Sequence, residues 1–196
     1  MSIEVDLTDV RDLSEYFGRL PDVARKSARL ALNQVADRTG LKKSRALMRE
    51  QVAFPAGYLE DPTRFRITKY AQETDLEAVI GGRTEPTSLA RFARFGATKG
   101  GATVTVHPGK PRDMRRAFLV NLKNGNKGLA LRLKPGEELT RRRLPAKRFG
   151  PGVVLLYGPS VDQVFRTVSA DVAPEALDKL SEEFTRQFAR LSREQK

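Results

Sequence analysis

One stretch near the start of the chain limits its possible folds more than any other. From Asp22 to Ala53, the residues Ala24, Ala28, Ala31, Leu32, Val35 and Thr39 recur three or four positions apart, the spacing of one helix face. The side chains on that face are small, so a neighbouring element can approach the helix closely. Gly40 interrupts the pattern at a cost of roughly 1 kcal/mol relative to alanine, and a kink or break is expected there. Beyond it, Lys42, Lys43, Arg45 and Arg49 make the second half basic.

The period changes on both sides of this helix. Upstream, Ile3, Val5 and Leu7 alternate with Glu4 and Asp6, as in a short half-buried strand, and Thr8 or Asp9 is placed to cap a short helix to about Arg19. Downstream, Arg64–Ala71, Leu76–Ile80, Thr103–His107 and Val153–Leu156 read as strands. Phe118–Leu122 and Leu129–Leu133 flank Asn124-Gly-Asn-Lys-Gly128, a hairpin signal. Arg91–Phe95 reads either as a turn of helix or as part of a loop ending at Gly100-Gly101.

Helical spacing returns at the end. Ser160 is placed to cap a short helix through Val168, and Pro174 to open a second one running to about Arg193. Leu177, Leu180, Phe184, Phe188 and Leu191 form a stripe expected to face the core. Glu175 and Asp178 at its start, with Arg186, Arg190 and Arg193 at its end, match the helix dipole. The fold class is therefore α+β: an antiparallel β-sheet flanked by a long N-terminal helix and an amphipathic C-terminal helix. A single domain over 1–196 is expected, with a strand and helical arm at 1–56, a β-rich basic body at 57–158 and C-terminal helices at 159–196.

Charge is distributed unevenly over this frame. Between Lys110 and Arg148 thirteen basic residues face three acidic ones, which supplies +10 of the formal net charge of +12. The cations are threaded through apolar runs, Ala117–Val120 and Leu129–Leu131, so they belong to a folded surface. Concentrated like charge is self-repelling and points to an anionic neighbour. A solvated face with no partner is the plainer reading of such a run. Arg141, Arg142 and Arg143 fall in an expected loop, where guanidinium groups can reach phosphates. Aromatic residues for stacking on single strands are sparse, tryptophan is absent, and no helix-turn-helix, RRM or zinc-finger pattern occurs. Sequence-specific reading of DNA is not expected; sequence-independent contact stays open on this pattern.

Composition narrows the chemistry further. The apolar share of 39% is below the globular average and the charged share of 31% above it, which suits a core completed against neighbouring subunits. With no cysteine, disulfides and thiolate metal sites are excluded, and a reducing compartment fits. The opening Met-Ser-Ile-Glu-Val-Asp does not read as a signal peptide, and the longest apolar run, Val153–Tyr157, is too short to span a bilayer. His107 is the only histidine and reads as a polar residue at a strand exit. The Gly96–Thr103 stretch lacks the Gly-Lys-Ser/Thr ending of a phosphate loop. Glu73, Asp75 and Glu77 read as a solvated strand face. No catalytic, metal-binding or cofactor-binding residue emerges, and the expectation is a protein that is not an enzyme.

The order of segments carries a resemblance. An alanine-rich helix (Ala24-Arg-Lys-Ser-Ala-Arg-Leu-Ala-Leu-Asn-Gln-Val-Ala) is followed by a strand pair, Ala117-Phe-Leu-Val-Asn-Leu-Lys-Asn-Gly and Gly128-Leu-Ala-Leu-Arg. Then come Arg143-Leu-Pro-Ala-Lys, Leu156-Tyr-Gly-Pro-Ser-Val-Asp-Gln-Val-Phe and an amphipathic helix. This resembles the minor tail protein Z family of lambda-like bacteriophages, the tail completion proteins. The sharpest part is the pairing of Arg-Leu-Pro with the later Tyr-Gly-Pro-Ser-Val. Thr84–Pro111 has no counterpart, and Ala146 stands where isoleucine or valine is more usual.

The resemblance implies a structural virion protein of the tail and neck of a siphovirus, assembled in the host cytoplasm and acting in tail completion and head–tail joining. It implies an oligomeric connector ring, commonly a hexamer, with tail terminator, tail tube or head-closure proteins as partners, non-specific contact with genomic double-stranded DNA, and no membrane or cofactor. Within such a ring Arg115, Arg116, Arg141, Arg142, Arg143, Lys147 and Arg148 are expected to form a basic lumenal or ring-facing surface. Ala24, Ala28, Ala31 and Val35 are expected to pack against a neighbouring subunit. The alternative is a sequence-independent nucleic-acid-binding protein with a basic β-sheet surface.

Overall fold

The long N-terminal pattern forms three consecutive helical segments. In the computed structural model, which describes residues 22–95, 101–137 and 146–194, α1 (Asp22–Val35) runs through a π-helical turn (Ala36–Leu41) into α2 (Lys42–Gln51). The expected interruption at Gly40 is this π turn, and it has a packing reason. A β-carbon on Gly40 would lie 2.6 Å from Ile80 Cδ1, so glycine lets the end of that isoleucine sit closer than any other residue would without its shifting. The strand expected at Ile3–Leu7, the short helix to Arg19 and the Arg141–Arg143 loop lie outside the described residues.

The chain groups into two compact units, each assembled from separated segments: 1–46, 65–81 and 166–196 in the first, 47–64 and 82–165 in the second. The first unit holds α1, the strand pair β1 (Phe65–Lys69) and β2 (Val79–Gly82, its last residue excepted), and most of α3. Ala24, Ala28, Ala31 and Val35 are buried here, and Leu32 and Thr39 are half-buried. Asn33 pins α1 to the end of β1: its amide donates to Ala71 O at 3.0 Å and its carbonyl accepts from Ala71 N at 2.8 Å. Glu73, Asp75 and Glu77 are exposed, with Arg29 beside Glu73 and Lys69 beside the other two.

The second unit is the β-rich one. Its main sheet has the order β3 (Thr87–Ser88), β10 (Val153–Gly158), β8 (Lys127–Arg132), β7 (Ala117–Asn121), with β9 (Ala146–Gly150) also paired to β10. A smaller antiparallel sheet joins β4 (Ala93–Arg94), β5 (Ala102–Val104) and β6 (Arg112–Met114). The expected hairpin is present: Leu122 N donates to Asn126 O at 2.8 Å, and Gly125 takes the positive φ (+77°) that the turn requires. Arg91 lies in a 3₁₀ turn over Leu89–Phe92, ahead of β4. The core is Phe54, Tyr58, Leu59, Leu89, Phe92, Leu129, Ala130, Leu155, Leu156 and Val161.

Three expectations need correction. The strand placed at Thr103–His107 ends at Val104, because Val106 O accepts from Ala53 N at 2.8 Å instead of continuing the ladder. The C-terminal region is one helix, α3 (Val161–Glu194, 34 residues), with Pro174 inside it. An interior proline costs about 3 kcal/mol. Buried Val164, Phe165, Val168 and Val172 before it, with Gln187 and Leu191 after it, hold the helix together across that position. The third correction concerns its stripe. Only Leu191 is buried; Leu180 and Phe184 are half-buried, while Leu177 and Phe188 are 65% and 41% exposed.

Candidate functional site

The basic segment does not behave as one surface. Arg116 is tied down by a bidentate pair with Glu137 (Nη1–Oε2 2.6 Å, Nη2–Oε1 2.9 Å) and also donates to Arg132 O at 3.1 Å. Glu137 further accepts from Lys134 N at 2.8 Å. The Arg116 guanidinium, followed by that backbone donor, pulls the Glu137 carboxyl down to about 2. Arg116 therefore closes the turn after β8 with its charge compensated. Arg115, its neighbour between β6 and β7, is exposed. Lys147 and Arg148 are consecutive exposed residues of β9 and so point to opposite faces.

Of the first motif of the sequence resemblance, only Ala146 and Lys147 lie among the described residues, and they pair with β10 where the second motif begins. Ala146 stands opposite Leu156 and Lys147 opposite Leu155 in the β9–β10 pairing. The Tyr157-Gly-Pro-Ser-Val segment is where β10 turns into α3. Ser160 N donates to Gln163 Oε1 and Gln163 N to Ser160 Oγ, both at 3.0 Å, a reciprocal capping box around a serine that is 1% exposed. A β-carbon on Gly82 would lie 2.9 Å from Asp162 N, so a bare backbone is needed where the chain passes the first turn of α3.

A groove of about 480 Å³ opens beside this joint. Arg83, Arg91, Lys127 and Lys147 bring cations to it, and Glu85 is the only acid in its described lining. Of the basic surface residues named from sequence, Lys147 is the one that lines it among the described residues. Arg91, Lys127 and Tyr157 were missed: they come from three separate parts of the chain, and no spacing links them.

Elsewhere, His107 Nδ1 lies 2.9 Å from Gln51 O, which ties the strand exit to the end of α2. Among the described residues no group of three or more His, Cys, Asp or Glu could hold a metal ion, and no helix is long and apolar enough to cross a membrane.

The chain is thus an α+β protein with a basic groove, an exposed cationic edge hairpin and a partly uncovered apolar helix face. Comparison with family models, with curated proteins and with solved structures returned no match.

Proposed function

We propose that this chain is a structural bacteriophage protein of the tail completion type, a subunit of an oligomeric ring at the head-proximal end of a siphovirus tail. In this reading it acts in head–tail joining, with tail terminator, tail tube or head-closure proteins as neighbours. It has no catalytic step and no cofactor, and it resides in the virion neck after assembly in the host cytoplasm.

The observation that carries the reading is the apolar face of α3. Leu177 and Phe188 stand in solvent, and the Phe184 and Phe188 rings stack on each other at 6.0 Å rather than under other elements. Together with half-buried Leu180 these side chains form a patch on one helix, the kind of surface that marks a subunit interface. Ala24, Ala28, Ala31 and Val35 are covered by the chain itself, so the reading moves the subunit contact from α1 to α3.

Sedimentation and electron microscopy of the purified chain, alone and mixed with tail tubes, test this. The wild type is expected to form closed rings or to cap tubes. Leu177→Ser/Phe188→Ser is expected to stay folded, because surface substitutions of this kind cost within about 0.5 kcal/mol, and to lose both activities. A monomeric wild type that ignores tubes refutes the reading.

The groove favours a second reading, a sequence-independent nucleic-acid-binding protein. A dedicated binder holds duplex DNA tightly with a steep salt slope and does not join tail parts.

A further inference from the structure

The groove has a specific construction. On β10, Leu155 and Tyr157 are two residues apart and share a sheet face; Lys147 stands opposite the first and Ser88 opposite the second. Lys147, Tyr157 and Ser88 therefore project from one face. The β7–β8 turn brings Asn124 and Asn126 to the same groove, with Lys127 following.

Its charge is only partly compensated. Arg83 pairs with Glu85 at 3.1 Å, which removes the only acid of the described lining. Lys127 and Lys147 have no acidic ion-pair partner among the described residues. The Asp61 carboxyl, held below its usual range first by its hydrogen bonds from Thr63, lies close enough to Arg91 for that cation to help lower it. The guanidinium of Arg91 lies 5.2 Å from the ring centre of Tyr58, and Arg64 lies 4.0 Å from it. Tyr58 is itself buried and fixed, its hydroxyl 3.3 Å from Thr87 Oγ1. One of the three cations, exposed Arg91, thus lies over a fixed aromatic ring. Three like charges around one concavity repel each other, and an anion seated between them relieves that repulsion.

The rest of the lining identifies the anion. Asn124, Asn126, Ser88 and Tyr157 add neutral polar groups, while the apolar residues are half-buried Leu122, small Ala146 and Pro86. A protein partner would be anchored by large aromatic or aliphatic side chains in a dry pocket, whereas here the apolar surface is broken up by four cations and by amides and hydroxyls. Cations mixed with amides and hydroxyls are what a sugar–phosphate chain engages. The cavity is also larger than a lone phosphate ion needs.

We propose that this groove binds the phosphodiester backbone of double-stranded DNA without regard to sequence, through Arg91, Lys127 and Lys147. The inference rests on the reading that this chain meets the genome, and it confines that contact to one site.

The test uses the full chain and a fluorescently labelled duplex of arbitrary sequence, with anisotropy followed across a salt series. Lys127→Ser/Lys147→Ser is compared with Lys110→Ser/Arg112→Ser, which removes the same charge from exposed positions outside the groove. Each phosphate that is no longer neutralised lowers the log–log salt slope by roughly 0.9, so the groove pair is expected to lower it by roughly 1.8 and to weaken binding roughly 10- to 60-fold near 0.1 M salt. The control pair is expected to leave the slope within error. Equal effects from both pairs overturn the groove while leaving DNA contact standing. A wild type that does not bind the duplex even at low salt overturns both. Binding of a polyglutamate peptide that depends on Lys127 and Lys147, without duplex binding, overturns the proposal in favour of an acidic protein. Ring formation, measured by sedimentation on the same variants, is expected to persist in the groove pair, so the structural reading is judged separately.

Discussion

Replacing Ser160 by alanine removes half of the capping box that starts α3, and its cost can be worked from the geometry. Ser160 Oγ accepts from Gln163 N at 3.0 Å, and loss of an N-cap hydroxyl costs about 1 kcal/mol. The return bond, Ser160 N to Gln163 Oε1, serves a backbone N–H on a residue that is 1% exposed. Gln163→Ala strands that donor, at about 1 kcal/mol or somewhat more. The two side chains complete one motif, so the double variant is expected to cost at least about 0.5 kcal/mol less than the sum of the singles. For a chain of 196 residues, 1 kcal/mol corresponds to about 2–4 °C in Tm. Ser160→Val should be worse than Ser160→Ala, because extra methyl groups in a filled site add about 1–3 kcal/mol. Thermal and urea unfolding followed by far-ultraviolet circular dichroism reads all four variants. A Ser160→Ala protein as stable as wild type, or strict additivity in the cycle, would refute the cap.

Three further outcomes follow from single residues. Ser44 is fully buried with its hydroxyl unpartnered, so Ser44→Ala, the same substitution as at position 160, should raise stability by about 1 kcal/mol; a loss of stability would show that the hydroxyl has a partner. Gly82→Ala places a β-carbon 2.9 Å from Asp162 N and 3.1 Å from Val161 C, backbone that cannot swing aside, and should cost about 1–3 kcal/mol in the same melts. The Glu137 carboxyl, ordinarily near 4.5 and held at about 2 by Arg116, contributes to stability above pH 4.5, and that contribution is lost as pH falls from 4.5 towards 2. Carboxyl NMR titration should show the low value and its return towards 4.5 in Arg116→Ala; an ordinary value in the wild type would contradict the bidentate pair.

What was legible in the sequence was what depends on near neighbours along the chain. The helix over Asp22–Gln51, the β7–β8 hairpin and the cap at Ser160 all rest on local spacing and turn chemistry, and each lies close to its expected place. β9 was not expected because all but the last of its residues are exposed, so it has none of the alternation that marks a half-buried strand. Pro174 reads as a helix start when seen alone, but packing on either side of it decides otherwise. Periodicity placed Leu177 and Phe188 on one face of α3, and nothing in a period says whether that face is covered. Arg116 counted as surplus charge until the fold brought Glu137, twenty-one positions away, against it.

Two of the exposed cations, Lys147 and Arg148, stand on a sheet-edge strand, and that placement has a consequence for assembly. Among the described residues β9 pairs only with β10, and none of them covers its other edge. Such an edge invites indiscriminate pairing with any extended chain, and charged side chains, lysine above all, are the usual defence. Lys147 and Arg148 make each approach from another copy of the same strand a meeting of like charges. An edge protected in this way accepts an anionic neighbour far more readily than a copy of itself. If the chain self-associates as proposed, the apolar face of α3 is the surface left for it, and the charged hairpin is left for a partner of opposite sign. On the proposed ring reading, this division would let a subunit close a ring without also growing, strand on strand, into an open fibre.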